Sequence, residues 1–452
     1  MKFINSNITN HLPKITNDYI NNKDQISCFF NRKNDVENYY DQILEKKSNY
    51  DKKIRKILTS VLESNYKNIS NNFKQIQSIN KLKKSNTYTI TTGHQLNLFT
   101  GPLYFFYKII DSINICKQLK LRYPQNDFVP VYWMATEDHD YEEINHFKTD
   151  KVLFNWTVST KGTVGELRTD TLDKLYLDII NFFGKKNINS RELLKLFKDS
   201  YLKNEKLSDA TFNLVHSLFG KYGLLILNPD DIRLKKIICR DIIHEIKNQE
   251  SYKKVTETNK KICDLNFTPQ VNPRKINLFY IKNNIRSRIE KENSFYKVKD
   301  TNLIFSENEI LKEINNFPHR FSPNVLLRPF YQEKVLPNLA YIGGGSEIAY
   351  WLQLKSFFNY KKLTFPILAV RNSVLIVSKK TLKKCKKLDI EISDLFQNNN
   401  HLTKFYINKI TKLKIDFTDL KKAVKNNFIK LNEISLKTDK SFLGALKAQE
   451  KK

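Results

Sequence analysis

Short apolar runs alternate along the chain with longer stretches of helical periodicity. Runs typical of β-strands fall in five segments, at 87–92, 128–135, 222–227, 339–342 and 365–370. The first is rich in β-branched residues, and the others are largely apolar, as parallel strands buried on both faces are. Helical patterns follow the first and third runs, over 103–119 and 230–247. This order predicts an α/β fold whose core is an open parallel sheet.

The same pattern divides the chain into regions. Residues 1–85 are polar, rich in Lys and Asn and helical in pattern, which predicts an N-terminal helical extension of the core. We place the core at 86–394, with insertions near 150–215 and 250–320. From 395 to 452 the pattern is helical again, with apolar residues near heptad spacing at Phe417, Leu420, Val424, Leu431 and Ile434. This last segment is predicted to be a partial coiled coil.

Composition excludes several classes of protein. Hydrophobic residues make up 40% of the 452 residues, which is enough for a large core and argues against global disorder. The five cysteines are far apart and form no Cys-x-x-Cys pair, so neither a disulfide framework nor a zinc knuckle is predicted. The first residues lack the apolar stretch of a signal peptide, and no run approaches the ~18 apolar residues of a membrane span. We therefore expect a cytoplasmic protein without a membrane partner.

The charge balance is strongly basic. Lys and Arg total 77 against 47 Asp and Glu, a net charge of +30, which would attract polyanions. Lysine recurs from end to end, however, and the dense basic stretch at 379–387 is typical of a solvated helix face. We expect nucleic-acid binding to be non-specific only. A nucleotidyltransferase-like nucleic-acid-binding protein is the alternative function, and it predicts tight, salt-sensitive tRNA or DNA binding.

Glycine and polar residues follow the first predicted strand. Gly93 allows a tight turn and lets a ligand approach backbone N–H groups. His94 and Gln95 would lie at the mouth of the crevice that forms at the carboxyl ends of parallel strands. The helix N-terminus near Gly101 is suited to an anion, and Lys108 would add positive charge. The competing interpretation is an ordinary strand-to-helix turn, which the short Thr-Gly-His pattern alone favours.

An acidic stretch directly follows the second predicted strand, which carries Trp133. It contains Glu137, Asp138, His139, Asp140, Glu142, Glu143 and His146. At a strand end these side chains are suited to binding a substrate ammonium group, accepting a proton or holding a divalent cation. An acidic helix N-terminus is the competing interpretation, but such a cluster is unusual in so basic a chain. A zinc site from His139 and His146 is a further alternative, but the spacing matches no established motif, and we predict no metal.

Three consecutive glycines end the fourth predicted strand, at Gly343, Gly344 and Gly345. The helix that follows begins near Glu347 and carries Tyr350 and Trp351. Such a turn permits close approach of a phosphate or a sugar, and a flexible turn is an equally weighted alternative. The pattern is neither G-x-G-x-x-G nor a P-loop. Arg328 and Arg371 flank the region and are suited to pairing with a carboxylate or phosphate. A structural role is the competing interpretation for each of them.

Three stretches of this chain, in this order, resemble one family of enzymes. They are TTGHQLNLFTGPLYFFYKIIDSI (91–113), VPVYWMATEDHDYEEINH (129–146) and SPNVLLRPFYQEKVLPNLAYIGGGSEIAYWLQL (322–354). Together they resemble the bacillithiol-biosynthesis cysteine-adding enzymes, a family of cysteine ligases, over nearly the whole chain. The resemblance implies a Rossmann-like core related to class I aminoacyl-tRNA synthetases and nucleotidyltransferases. It also implies two connecting-peptide insertions and a coiled coil that forms a homodimer when complete.

The reaction that the resemblance implies joins the carboxyl group of cysteine to the amine of glucosaminyl-malate, giving bacillithiol, with ATP as the expected energy source. The stretch from Thr92 to Gln95 would stand where the synthetases keep their HxGH signature. With the helix N-terminus at Gly101, this stretch would hold the activated carboxyl or a nucleotide phosphate. The amine would be oriented, and its proton removed, by residues of the acidic stretch, namely Asp138, His139 and Asp140.

The same resemblance gives roles to the glycine turn after the fourth predicted strand, and the chain also departs from the family pattern. Residues 343–347 would line a sugar or nucleotide pocket, and Arg328 and Arg371 would bind the malate carboxylates. The family commonly has Gln where this chain has His94, and a Gly-Pro-Gly-Glu-like loop where it has Gly-Gly-Ser-Glu at 344–347. The chain also stops before the returning coiled-coil helix that members are expected to have. A non-catalytic scaffold relative is therefore a further alternative.

Overall fold

The computed structural model describes residues 3–158, 160, 162–282, 284–411, 416–439 and 441–451. Its strands are β1 (Thr87–His94), β2 (Asp127–Met134), β3 (His146–Lys148), β4 (Leu153–Asn155), β5 (Leu225–Leu227), β6 (Leu278–Lys282), β7 (Ile285–Glu292), β8 (Phe295–Val298), β9 (Ile304–Ser306), β10 (Phe321–Pro323), β11 (Asn338–Gly343) and β12 (Ile367–Val370). Its helices are α1 (Ser6–Thr9), α2 (Lys14–Ile20), α3 (Asn38–Asn49), α4 (Lys52–Tyr66), α5 (Phe73–Leu82), α6 (Tyr104–Arg122), α7 (Tyr141–Ile144), α8 (Leu172–Phe183), α9 (Ile188–Phe197), α10 (Leu207–Phe219), α11 (Ile232–Ile237), α12 (Cys239–Asn248), α13 (Glu250–Asp264), α14 (Glu307–Asn316), α15 (Leu327–Val335), α16 (Gly345–Leu352), α17 (Lys355–Tyr360), α18 (Lys379–Lys387), α19 (Asn399–Ile410), α20 (Thr418–Lys437) and α21 (Phe442–Lys451).

Five parallel strands form the central sheet, in the order β12-β11-β1-β2-β5. All five coincide with the runs predicted from the sequence, so the predicted α/β class with a parallel core is confirmed. The chain passes from β1 to β2 on one side and later returns to β11 on the other side. The carboxyl ends of β1 and β11 therefore form a topological switch point, where open α/β sheets bind ligands.

Two buried threonines of β1 share a hydrogen-bond partner in β11. The hydroxyls of Thr89 and Thr91 donate to Oδ1 of Asn338 at 3.2 and 2.8 Å, which links β1 to the start of β11. Buried polar groups of this kind cost free energy unless they are hydrogen-bonded. Helix α6, predicted over 103–119, joins β1 to β2 and packs Phe105 and Ile109 into the core. Strand β1 is thus bonded to β11 through its side chains and packed against the core through α6.

Helices from the N-terminal region pack on the same sheet. The Tyr19 hydroxyl donates to the carbonyl oxygen of Leu368 in β12 at 2.7 Å. The Arg55 guanidinium donates to the carbonyl of Thr87, at the start of β1, at 2.9 Å. Val61 and Leu62 of the predicted helical stretch are buried in the core. These contacts make residues from Asn10 onward part of the unit that contains the sheet.

Two insertions interrupt the alternation of strands and helices. The first lies between β2 and β5 and contains the β3–β4 antiparallel pair and helices α8 to α10. The second lies between β5 and β11 and contains an antiparallel sheet in the order β10-β6-β7-β8-β9. The largely apolar stretch Leu278–Lys282 forms β6 of this sheet. The second insertion matters for function because β6, β7 and β10 supply side chains to the cavity described below.

Contacts within the chain define two compact units. One spans Asn10–Ile376, and the other joins the residues up to Thr9 with those from Val377 onward. The sequence analysis placed the start of the C-terminal segment at residue 395. The heptad pattern that defined this segment begins only beyond the basic helix α18. Along α20 the apolar residues of that pattern are largely exposed, with Leu420 at 62% and Ile434 at 57%. Among the described residues, no helix combines the length and apolar content that a membrane crossing requires.

Candidate active site

A cavity of about 1050 Å³ opens at the carboxyl ends of the central strands. Most of the residues predicted for the site line it, namely Gly93, His94, Gln95, Lys108, Trp133, Glu137, Asp138, His139, Asp140, Arg328, Gly344, Gly345, Glu347, Tyr350 and Arg371. The register brings these strand ends together, since Gly93 pairs with Trp133 and Thr92 pairs with Ile342. The sequence stretches near 94, 139 and 345 therefore meet in one place.

Four predicted site residues do not line the cavity, and three of them belong to the sheet or its core. The Thr92 hydroxyl donates to the carbonyl oxygen of Ile342 at 2.9 Å, so it serves the pairing of β1 with β11. Gly343 is the last residue of β11 and is buried. Trp351 is fully buried and packs against Tyr341, with ring centroids 4.7 Å apart. Trp351 is therefore a core residue and not part of the cavity wall.

The fourth is Gly101, which was predicted to open the anion-binding end of a helix. It has a φ of +59°, and a Cβ atom there would come within 2.6 Å of the Asn97 Cβ. The glycine therefore satisfies a tight turn. Helix α6 begins three residues later, at Tyr104, so Gly101 does not supply its N-terminal amides.

His94 ends β1 with its ring packed against Tyr104 and Phe105, at centroid distances of 5.5 and 5.3 Å. Burial lowers the pKa of His94 well below its usual value, and the positive charges of Lys108 and Arg371 lower it further. The imidazole is therefore neutral at neutral pH. Its Nε2 atom is buried and has no hydrogen-bond partner among the described residues. A neutral ring with an unpaired nitrogen at the cavity wall is suited to one hydrogen bond with a ligand.

Lys108 holds two strand ends together. Its buried ammonium donates to the carbonyl oxygen of Gly93 and to Oε1 of Glu347, both at 2.6 Å. The other carboxylate oxygen of Glu347 accepts a hydrogen bond from the Tyr341 hydroxyl at 2.7 Å. The positive charge that the sequence analysis assigned to a bound anion is thus paired with Glu347. Lys108 supports the geometry of the cavity from beneath.

Two arginines bring cationic groups to the cavity. Arg328, on α15, donates to Gln332 at 3.0 Å and to the Tyr350 hydroxyl at 3.3 Å. Arg371 follows β12, and its guanidinium lies 4.6 Å from the centroid of the Tyr104 ring. Because β12 and β2 flank β11 and β1 in the sheet, Arg371 and the acidic loop after β2 lie on opposite sides of β1.

Asp138 is the best-bonded carboxylate of the acidic loop. Its oxygens accept hydrogen bonds from the backbone N–H of His139 at 2.7 Å and from Nε2 of Gln95 at 3.0 Å. Burial alone would raise the pKa of Asp138, but the hydrogen bonds from His139 and Gln95 and the charge of Arg286 hold it far below its usual value. The pKa of Asp140 is raised, by burial and by the negative charge of Asp138. The two carboxylates are therefore suited to different tasks, a permanent anion and a proton acceptor.

The second insertion supplies a residue that was not predicted for the site, Arg286 on β7. Its Nη1 lies 2.8 Å from Nδ1 of His139, and its Nε donates to the Ser322 hydroxyl at 3.2 Å. The guanidinium also lies 3.8 Å from the centroid of the Phe279 ring. The sequence showed the Arg-Ser-Arg pair at 286–288, but no local signal connects a strand of an insertion with a loop about 147 residues earlier.

The acidic loop is also the place where a metal ion would be sought. Oxygen and nitrogen atoms of Asp138, His139 and Asp140 lie within 4.8 Å of one another. The Nδ1 atom of His139 faces both carboxylates, at 3.6 and 3.9 Å, but it already contacts the guanidinium of Arg286. A fixed cation thus already lies beside this nitrogen, and the absence of a metal stays a prediction. His146 does not line the cavity, and its Nδ1 lies 2.9 Å from the Asn145 side chain.

A second titratable cluster lies behind the acidic loop. The fully buried ammonium of Lys235 contacts the Glu137 carboxylate and donates to the carbonyl oxygen of Phe321 at 3.1 Å. Asp230 lies 3.9 Å from the same ammonium, with its side chain 33% exposed. Burial and the negative charge of Glu137 raise the pKa of Asp230 to about 7, although Lys235 opposes this. Asp230 therefore holds a proton in the folded protein under conditions where an unfolded aspartate does not.

Asp230→Asn is expected to stabilise the protein more at about pH 8 than at about pH 5. The raised pKa means that the folded state binds a proton more tightly, so stability falls as pH rises from about 4 to about 7 and stays low above that. Asparagine removes this titration. Thermal unfolding should show a gain over wild type that is larger by about 2 °C at the higher pH. The exposed Asp150→Asn is the control, and equal shifts for Asp230→Asn at both pH values would contradict the prediction.

Fold and cavity together define the class of protein. It is a Rossmann-like α/β protein whose switch-point cavity presents carboxylates and cationic groups to small polar ligands. The sequence profile described as Bacillithiol biosynthesis BshC, N-terminal Rossmann-like domain matches residues 1–372. The profile described as Bacillithiol biosynthesis BshC, C-terminal coiled-coil domain matches residues 374–452. The chain belongs to the bacillithiol biosynthesis BshC family, as its sequence motifs predicted.

Relatives across this family cover most of the chain. The chain is 48% identical over 442 residues to a protein of Flavobacterium johnsoniae, which covers 98% of this chain and 83% of the relative. A protein of Flavobacterium psychrophilum is 48% identical over 445 residues with the same coverage. A protein of Bacillus mycoides is 29% identical over 439 residues, or 92% of this chain and 81% of the relative. Each is named "Putative cysteine ligase BshC".

Proposed function

We propose that this chain is a carbon–nitrogen ligase of the cytoplasm that joins the carboxyl group of L-cysteine to the amine of glucosaminyl-malate. The observation that carries the proposal is one cavity with an acidic loop after β2 and Arg371 after β12, on opposite sides of β1. An amine binds beside negative side chains and a carboxylate beside positive ones, so these substrates need that distribution of charge. The cavity volume of about 1050 Å³ accommodates two small polar molecules together. The names of the relatives supply the identity of cysteine as the group added.

The acidic loop is suited to the amine substrate. Asp138 is ionised at every working pH and would hold the substrate ammonium by a charge-assisted hydrogen bond. Asp140, with its raised pKa and its half-exposed side chain, would take the proton that the amine must lose before it attacks. The new bond forms between the amine nitrogen and the cysteine carbonyl carbon. The bond from that carbon to the activating group breaks, and the activating group leaves with its oxygen.

The opposite side of the cavity is suited to anions. Arg371 would pair with a malate carboxylate, and Arg328 would reinforce the positive potential there. His94, with its unpaired Nε2, and the backbone at Gly344 are the groups that fit a nucleotide phosphate or the activated carboxyl. ATP is the energy source we propose, and when bound it supplies an activated carboxyl with a good leaving group.

Mass spectrometry of a purified-protein reaction tests the proposal. Cysteine, glucosaminyl-malate and ATP are incubated with the full chain, and the amide product is expected only when all three are present. Omission of ATP and replacement of cysteine by serine are the controls. A folded protein that yields no amide with any nucleoside triphosphate would contradict the ligase assignment. Tight, salt-sensitive tRNA binding without product would favour the nucleic-acid alternative instead.

A further inference from the structure

We propose that Arg286 fixes His139 as the tautomer with its proton on Nε2, so that His139 donates a hydrogen bond to the substrate carbonyl oxygen and is not the base. The inference deepens the proposed function and rests on it for the identity of that oxygen. Arg286 acts through His139 and is a positioning residue. His139 is the group that would touch the substrate, since its ring lines the cavity.

The tautomer follows from the chemistry of the guanidinium. Arginine carries only donors and stays protonated in proteins. Its Nη1 lies 2.8 Å from Nδ1 of His139, so Nδ1 must offer a lone pair. The proton of the ring is then on Nε2. The two carboxylates that would favour a proton on Nδ1 lie farther from it than the guanidinium does, at 3.6 and 3.9 Å.

The arginine is itself held in place. Its Nε donates to the Ser322 hydroxyl at 3.2 Å, its Nη2 lies 3.4 Å from the carbonyl oxygen of Pro323, and its face stacks on Phe279. The side chain is buried, which lowers the pKa of Arg286, and the carboxyl groups of Glu137, Asp138, Asp140 and Asp230 oppose this lowering. The two hydrogen bonds and the stacking on Phe279 hold the guanidinium near the loop. The side chain cannot easily turn away to free Nδ1.

The other ring nitrogen is the one available for chemistry. Among the described residues no hydrogen bond reaches Nε2 of His139, and 37% of the side chain is exposed. An N–H group fixed in this direction can stabilise negative charge on an oxygen, which is how oxyanion holes act. Amide formation from an activated carboxyl places such charge on the carbonyl oxygen. The proton of the amine is left to Asp140, whose raised pKa suits it to that task.

Nitrogen-15 NMR of histidine-labelled protein tests the tautomer without any activity measurement. The His139 signals are assigned by their loss in His139→Gln. The wild-type spectrum is expected to show a protonated Nε2 and an unprotonated Nδ1. Arg286→Met removes the donor, and the Nδ1 proton should then be populated beside Asp138 and Asp140. A wild-type Nδ1–H signal would overturn the inference, whether or not the protein makes the amide.

Turnover separates the donor role from a merely structural one. Arg286→Met is expected to lower kcat about 100-fold with KM changed only a few-fold, and Arg286→Lys, which keeps one donor, should recover part of this. Lys291→Met, on the same strand and outside the cavity lining, is the matched control. His139→Gln retains an N–H donor and should exceed His139→Ala by about tenfold. Equal loss in both His139 variants would overturn the donor role, whereas a wild type without product but with the Nε2–H signal would refute only the ligase proposal.

Discussion

Lys108→Met is expected to lower amide formation by about 100-fold. It should also lower the free energy of unfolding by about 3 kcal/mol, the lower end of the range found when one partner of a buried ion pair is removed. The ammonium of Lys108 is 1% exposed and joins the Gly93 carbonyl to the Glu347 carboxylate. Without it, Glu347 would keep the Tyr341 hydroxyl and would attract Arg328 and Arg371, whose charges act on the position of Lys108. Those arginines would then be less available to a substrate carboxylate.

Two measurements check this prediction. Urea unfolding gives the free energy of unfolding. The value of kcat/KM for formation of the thiol product gives the loss of transition-state stabilisation. The control is Lys120→Met on the same helix, whose ammonium is 48% exposed and pairs with Asp127 at 3.0 Å. An exposed pair of that kind is worth up to about 1 kcal/mol. If Lys108→Met kept wild-type turnover, the pair with Glu347 would have no part in shaping the cavity.

The strands were predictable from the sequence because their signal is local. β-Branched and continuously apolar runs defined β1, β2 and β11 to within one or two residues. Their ends could be placed together as soon as a parallel sheet was inferred, since all carboxyl ends of such a sheet share one edge. The loops at Gly93, Asp138 and Gly344 followed from that rule alone.

The rest depended on contacts that leave no local pattern. Arg286 reaches His139 from a strand of an insertion, and an arginine on an alternating strand resembles any solvated face. Lys108 was correctly placed near the strand ends, but its partner Glu347 lies 239 residues further along the chain. Trp351 has the sequence neighbourhood of a ligand-binding residue and the burial of a core residue. Such distinctions depend on tertiary packing, which periodicity does not encode.

Asp138→Asn is expected to lower kcat/KM about 100-fold, mainly by raising KM for the amine substrate, because the charge partner of the ammonium group is lost. An asparagine would also turn its NH₂ toward either Gln95 or the backbone N–H of His139, both of which donate to the aspartate. Two facing donors cannot share a hydrogen bond, so the loop itself would be weakened. Glu142→Gln is the matched control, since that carboxylate lies outside the cavity lining and pairs with Asn145 at 3.2 Å.

The pH dependence of the variants distinguishes the two aspartates. The pKa of Asp138 lies far below its usual value, so this carboxylate is ionised throughout the working range and contributes no limb of its own to the pH profile. The pKa of Asp140 is raised, so activity that needs its carboxylate falls as pH falls through that pKa. The acid limb of the kcat/KM profile should therefore disappear in Asp140→Asn. In Asp138→Asn it should persist but move to lower pH, because the charge of Asp138 no longer raises the pKa of Asp140. A limb that vanished with Asp138 instead would assign proton removal to that residue, and an Asp138→Asn variant with wild-type KM would show that the ammonium group binds elsewhere.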